Sequence, residues 1–190
     1  MIYNSKDIIS GLIAMTKDHV NYAKELLKIS EDKLQSKQSS KSWSVLECLE
    51  HLNMYASFYN REISEKMIAS SLPFSETFKS TYLGNKFAND MLPKEGIKTM
   101  NTFKSKNPNQ STLDKETVLL TFIKLQETLL QLLETAKHKN LDKVKTRTTL
   151  PIIKFKLGDT FRFVIHHNER HIVQAKKVLL NQKTEDNSTK

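Results

Sequence analysis

Apolar residues recur at three- and four-residue steps along four long stretches of the chain, and each such stretch predicts an amphipathic helix. In the first, about residues 5–30, Ile8, Leu12, Met15, Tyr22 and Leu26 share a stripe, and His19 falls on it too. The second, about 44–70, carries Leu49, Leu52, Ala56, Tyr59, Ile63 and Met67. Its opening pair, Ser44 and Glu47, has the spacing of a capping box, which satisfies orphan amides at a helix start. The third, about 114–137, starts at Asp114 and runs through Val118, Phe122, Leu125, Leu129, Leu132 and Ala136. The fourth, about 159–181, has Asp159 as its candidate N-cap, with Phe161, Val164 or Ile165, Ile172, Ala175 and Leu179 facing the core.

Pro73, Pro93, Pro108 and Pro151, all the prolines of the chain, lie between these stretches, where helices must stop anyway. The pattern therefore predicts an all-α fold, a four-helix bundle forming a single domain over residues 1–181, followed by a polar, disordered tail at 182–190. The connection at 71–113 is long enough for the second and third helices to run parallel, and "YLGNKFANDML" within it suggests a short extra helix.

Composition agrees and adds limits. At 190 residues, 38% hydrophobic and with only four glycines, the chain can bury a helical core. The N-terminus lacks a basic segment followed by an apolar one, and no apolar run approaches the roughly 20 residues that span a bilayer. A cytoplasmic protein without membrane partners is expected. A single cysteine, Cys48, excludes an intramolecular disulfide and a multi-cysteine zinc site. The net charge of +9 is concentrated at 137–156, where Lys137, Lys139, Lys143, Lys145, Arg147, Lys154 and Lys156 face only Asp142. Phe155 is the only aromatic there and no reading element is evident, so a solvated basic connector is expected rather than a nucleic-acid surface. Its field could instead draw small anions.

The chemistry lies in "FRFVIHHNERHIVQAKKVL". His167 and His171 are one helical turn apart, project from one face about 6 Å apart, and can share a metal ion. Phe163 and Gln174 continue that stripe. His166 is rotated by about 100°, which suits a surface or supporting role. On the second helix His51 sits one position off the apolar stripe, with Glu47, Cys48 and Tyr55 at helical spacing around it. These residues alone leave open whether the histidines ligate a metal or are polar positions at a core edge. His19 reads as a packed or partner-bonded core histidine, Cys48 as a buried inert thiol, and Glu47 as a capping carboxylate. Gln174 either orients a ligand or packs, Glu169 and Arg170 read as solvated, and Trp43 as a core anchor.

The order Trp43, Ser44, Glu47, His51, Leu52, followed much later by His167, His171 and Gln174, resembles the DinB/YfiT-like superfamily. The resemblance implies a bundle wound up-down-down-up and a divalent metal held by His51, His167 and His171, with zinc or nickel expected ahead of iron or manganese. The family includes metal-dependent hydrolases, bacillithiol transferases and mycothiol-dependent isomerases. It therefore implies an enzyme acting on a small molecule, by hydrolysis or by transfer of a low-molecular-weight thiol. The other reading is a metal-binding or stress-associated bundle without turnover, acting as a homodimer through exposed helix faces. Three neutral imidazoles leave zinc an open position, where water approaches a neutral pKa and a thiol is deprotonated.

Overall fold

The computed structural model describes residues 1–40, 42–94, 102–108 and 112–188, with side chains described as far as residue 182. Among these residues the chain is mostly helical: α1 Ser5–Leu26, α2 Glu31–Gln35, α3 Val45–Ile68, α4 Tyr82–Met91, α5 Lys115–Ala136 and α6 Leu157–Ser188. Two short antiparallel ribbons join them. β1 (Ile2–Asn4) pairs with β2 (Thr77–Lys79), placing Tyr3 opposite Phe78, and β3 (Lys145–Arg147) pairs with β4 (Lys154–Lys156), placing Thr146 opposite Phe155. No helix among the described residues is long and apolar enough to cross a membrane.

The four long helices fall where the periodicity places them, with instructive differences at their ends. α1 stops at Leu26, short of residue 30, because Ser30 opens the separate turn of α2, which buries Leu34 completely. α3 has the full capping box: Ser44 Oγ accepts from the Glu47 amide at 3.2 Å, and Glu47 Oε2 accepts from the Ser44 amide at 2.8 Å. Asp114 caps α5 through the Thr117 amide at 2.7 Å. α4 occupies the expected short helix.

α6 departs from expectation at both ends. Asp159 is not its N-cap. β4 feeds directly into the helix, and the early amides of Leu157 and Gly158 donate to Val144 O and Leu141 O, so no side chain is needed there. Asp159 instead turns inward, fully buried, and accepts from Ser80, from the Thr81 amide and hydroxyl, and from Arg162. At the other end the backbone stays helical through Ser188, past the expected stop at 181 and into the stretch expected to be disordered. Residues 189 and 190 of that tail lie outside the described residues, as do 95–101 and 109–111 of the long connection.

α1 and α3 each pack against α5 and α6, and α4 lies on α6. One apolar cluster gathers Ile9, Tyr59, Phe78, Leu129, Phe155 and Phe161; a second gathers Leu26, Leu46, Leu49, Phe122 and Ile172. Between α3 and α5, Asn53 Nδ2 donates to Val118 O and Asn60 Nδ2 to Leu125 O. The basic connector includes the β3–β4 hairpin, with Lys143, Lys145 and Lys154 exposed to solvent as expected. Arg147 clamps the buried Glu62 of α3 through its amide, Nε and Nη2, at 2.8–2.9 Å, and Lys156 pairs with Asp142 at 2.7 Å.

Candidate metal centre

Three imidazoles meet between α3 and α6. The capping box fixes where α3 begins and hence its phase, and Lys37 Nζ holds the outer oxygen of Glu47 at 2.6 Å. Two turns on, that phase aims His51 at α6. His167 and His171 come from adjacent turns of α6 on one face. His167 Nε2 lies 3.3 Å from His51 Nε2 and 3.2 Å from His171 Nε2. All three residues are buried, and one nitrogen from each lies within 4.8 Å of the others.

What each ring touches with its second nitrogen fixes where its lone pair points. His51 Nδ1 lies 2.7 Å from Lys106 O, and a carbonyl only accepts, so Nδ1 carries the proton and Nε2 the lone pair. His171 Nδ1 meets Gln174 Oε1 at 3.0 Å, which leaves its Nε2 lone pair free in the same way. Burial pushes His51 down to about 4 and His171 down to about 3, and drives His167 well below the ordinary histidine range; neighbouring positive charge adds to each shift. All three rings are therefore neutral near neutral pH, the form that binds metal.

His51 and His171 both turn a lone pair toward His167 Nε2, at 3.3 Å and 3.2 Å, and a proton on that nitrogen could meet only one of them. A metal ion satisfies all three. Tetrahedral zinc, with Zn–N of about 2.0–2.1 Å, sets its nitrogens about 3.3–3.4 Å apart, close to the two separations from His167 Nε2. The donor set thus fits a divalent ion. The described residues that form the cluster include no carboxylate and no thiol.

Aromatic rings wall the centre. Trp43 lies 4.7 Å from the His51 ring and 5.5 Å from His171, so it covers the imidazoles as well as anchoring the core. Tyr55 packs 4.9 Å from His51 and 5.0 Å from His167, and Phe163 stacks on His167 one turn away. Cys48 is fully buried outside the cluster, and burial raises its thiol pKa, so it stays protonated and inert.

Three side chains differ from their sequence reading. His166 is buried rather than on the surface; its Nδ1 donates to Ala88 O at 2.8 Å and ties α6 to α4. Glu169 is not simply solvated, since its carboxylate meets the buried His19 at 2.8 Å. Arg170 donates to Asp90 O. His19 is the partner-bonded core histidine expected. Nothing in the sequence marks Lys106, because no periodicity reveals a single 3-10 turn in a long connection.

The family model of the DinB superfamily matches residues 15–175, a span that contains all three histidines. The chain belongs to the DinB superfamily. No curated protein and no solved structure matches it.

Proposed function

We propose that this single-domain chain is a divalent-metal-dependent enzyme acting on a small molecule, with His51, His167 and His171 as the metal ligands. The observation that carries the reading is the convergence of three buried imidazole nitrogens, with His167 Nε2 at 3.3 Å and 3.2 Å from the Nε2 lone pairs of His51 and His171. We take the bundle to be wound up-down-down-up. Supporting this, contacts climb together along α3 and α5 (Asn53 with Val118, Asn60 with Leu125), while Tyr59 near Phe163 and His51 near His171 run in opposite senses along α3 and α6.

A divalent ion with three imidazole ligands supplies Lewis-acid polarisation and an open position for a reacting group. The chain's own residues do the rest. Lys106 O and Gln174 Oε1 hold two rings in the metal-binding tautomer. Trp43, Tyr55 and Phe163 exclude water from one side, which strengthens charge interactions inside. Zinc or nickel suits a neutral nitrogen set best, with iron and manganese as further candidates. The reaction classes that use such a centre here are hydrolysis and transfer of a low-molecular-weight thiol.

The test loads purified protein with each metal in turn, measures stoichiometry, and then screens thiol-plus-electrophile pairs and activated esters. One equivalent of metal with turnover lost in His171→Ala supports the proposal. Stoichiometric metal with no turnover across both screens would leave a metal-binding bundle instead. A wild-type chain that binds none of the metals rejects the centre.

A further inference from the structure

Resting on the metal reading, we propose that the centre selects small molecules carrying a carboxylate, and that the Lys106 ammonium is the residue that recognises it. Lys106 touches the site twice. Its carbonyl accepts the His51 Nδ1 proton, and its Nζ donates to Met54 O at 2.8 Å while lying 5.5 Å from the centroid of the Tyr55 ring. That ring packs directly on His51 and His167. The ammonium is therefore held against Tyr55, the ring that packs on the imidazoles, and its charge further disfavours protonation of His51.

Met54 O takes one of three ammonium protons, and the side chain is only half-buried, so two donors stay within reach of a ligand. Two remaining donors on one ammonium are enough to hold a single carboxylate. The surrounding charge points the same way. The histidine cluster contains no carboxylate among the described residues, and Arg170 adds positive potential at His167 and His171. With a divalent ion in place, the field at the centre strongly favours an anion. The notable feature is that one residue both orients a ligand imidazole and presents the charge, so substrate recognition and ligand geometry share one short turn.

The experiment uses the full chain loaded with Co²⁺ and titrates it calorimetrically with para-mercaptobenzoate and with para-mercaptobenzyl alcohol. The rigid para geometry keeps thiol and carboxylate from reaching the same ion. Wild type is expected to bind the benzoate roughly tenfold more tightly, the size of one partly desolvated charge pair, with the preference shrinking at high salt. Lys106→Met should level the two affinities with Co²⁺ stoichiometry intact, since the backbone carbonyl to His51 remains, and Lys106→Arg should restore most of the preference. Equal affinities in wild type, or a preference that survives Lys106→Met, overturn the inference while leaving the metal centre standing. If Lys106→Met fails to hold Co²⁺, the salt response of the wild-type preference decides, and a salt-independent preference rejects a role for the ammonium. A wild-type chain that takes up no Co²⁺ overturns the metal reading and this inference together.

Discussion

At the scale of single residues, a metal-binding imidazole almost always donates its second nitrogen's proton to a partner, which fixes tautomer and orientation. Lys106 O and Gln174 Oε1 supply that constraint for His51 and His171. Removing an outer partner of this kind typically weakens metal affinity by about 10–100-fold. We therefore expect Gln174→Ala to weaken metal binding by that order without changing its stoichiometry at saturation, as read by competition with a chromophoric chelator; unchanged affinity would mean Gln174 only packs. His51→Ala, His167→Ala and His171→Ala should each lose stoichiometric metal in a chain that stays helical by circular dichroism. His166→Ala should keep it, because that ring is committed to Ala88 O. Metal lost from His166→Ala but retained by His167→Ala would place the centre on the wrong face of α6. That His51, His167 and His171 come together was legible in two parts: helical periodicity brings His167 and His171 to one face and leaves His51 beside the stripe of α3, and the resemblance to the superfamily joins the two motifs. Lys106, and the pairing of His19 with Glu169 across 150 positions, were not legible, since nothing local encodes a partner that distant.

At the scale of elements, long helices announce themselves through repeated turns, and short ribbons do not. Three-residue strands such as β1 or β4 hold too few alternations to separate from loop, and their pairing is set by distant chain. The same limit explains Asp159, which has the local look of an N-cap but answers to β2 and α4. There a glycine becomes decisive: a Cβ on Gly84 would collide with the Asp159 carboxylate, which Ser80, Thr81 and Arg162 lock in place. Gly84→Ala is expected to destabilise the fold by about 2–4 kcal/mol despite alanine's better helix propensity. Gly11 is the control, since a Cβ there meets nothing within 4 Å on the exposed face of α1. Gly11→Ala should stabilise by about 0.5–1 kcal/mol. Urea unfolding of both variants checks the pair, and equal effects would contradict the close approach of α4 to α6.

At the scale of the whole molecule, the buried imidazoles link proton, metal and fold. In the unfolded chain histidines titrate near 6.5, whereas in the fold burial holds His51 at about 4, His171 at about 3 and His167 well down. Between those values the unfolded state binds protons that the folded state does not, so stability rises with pH. The contribution is complete above about 6.5 and is lost as pH falls toward the folded values. Further down, Glu169, held low by His19, and Glu62 and Asp142, where ion pairing outweighs burial, lose their stabilising pairs as they protonate. Metal adds to the same linkage: it binds the folded chain and needs neutral rings, so a hundredfold excess over Kd should stabilise by about 2.7 kcal/mol. Zinc should therefore raise Tm clearly at about pH 7.5, and the rise should hold at about pH 5.5 and shrink only as pH falls toward about 4, where protons begin to compete for His51. His171→Ala should show neither the rise nor its pH dependence. A Tm indifferent to metal in wild type, or a rise of equal size in His171→Ala, would mean that the three imidazoles converge for some purpose other than holding an ion.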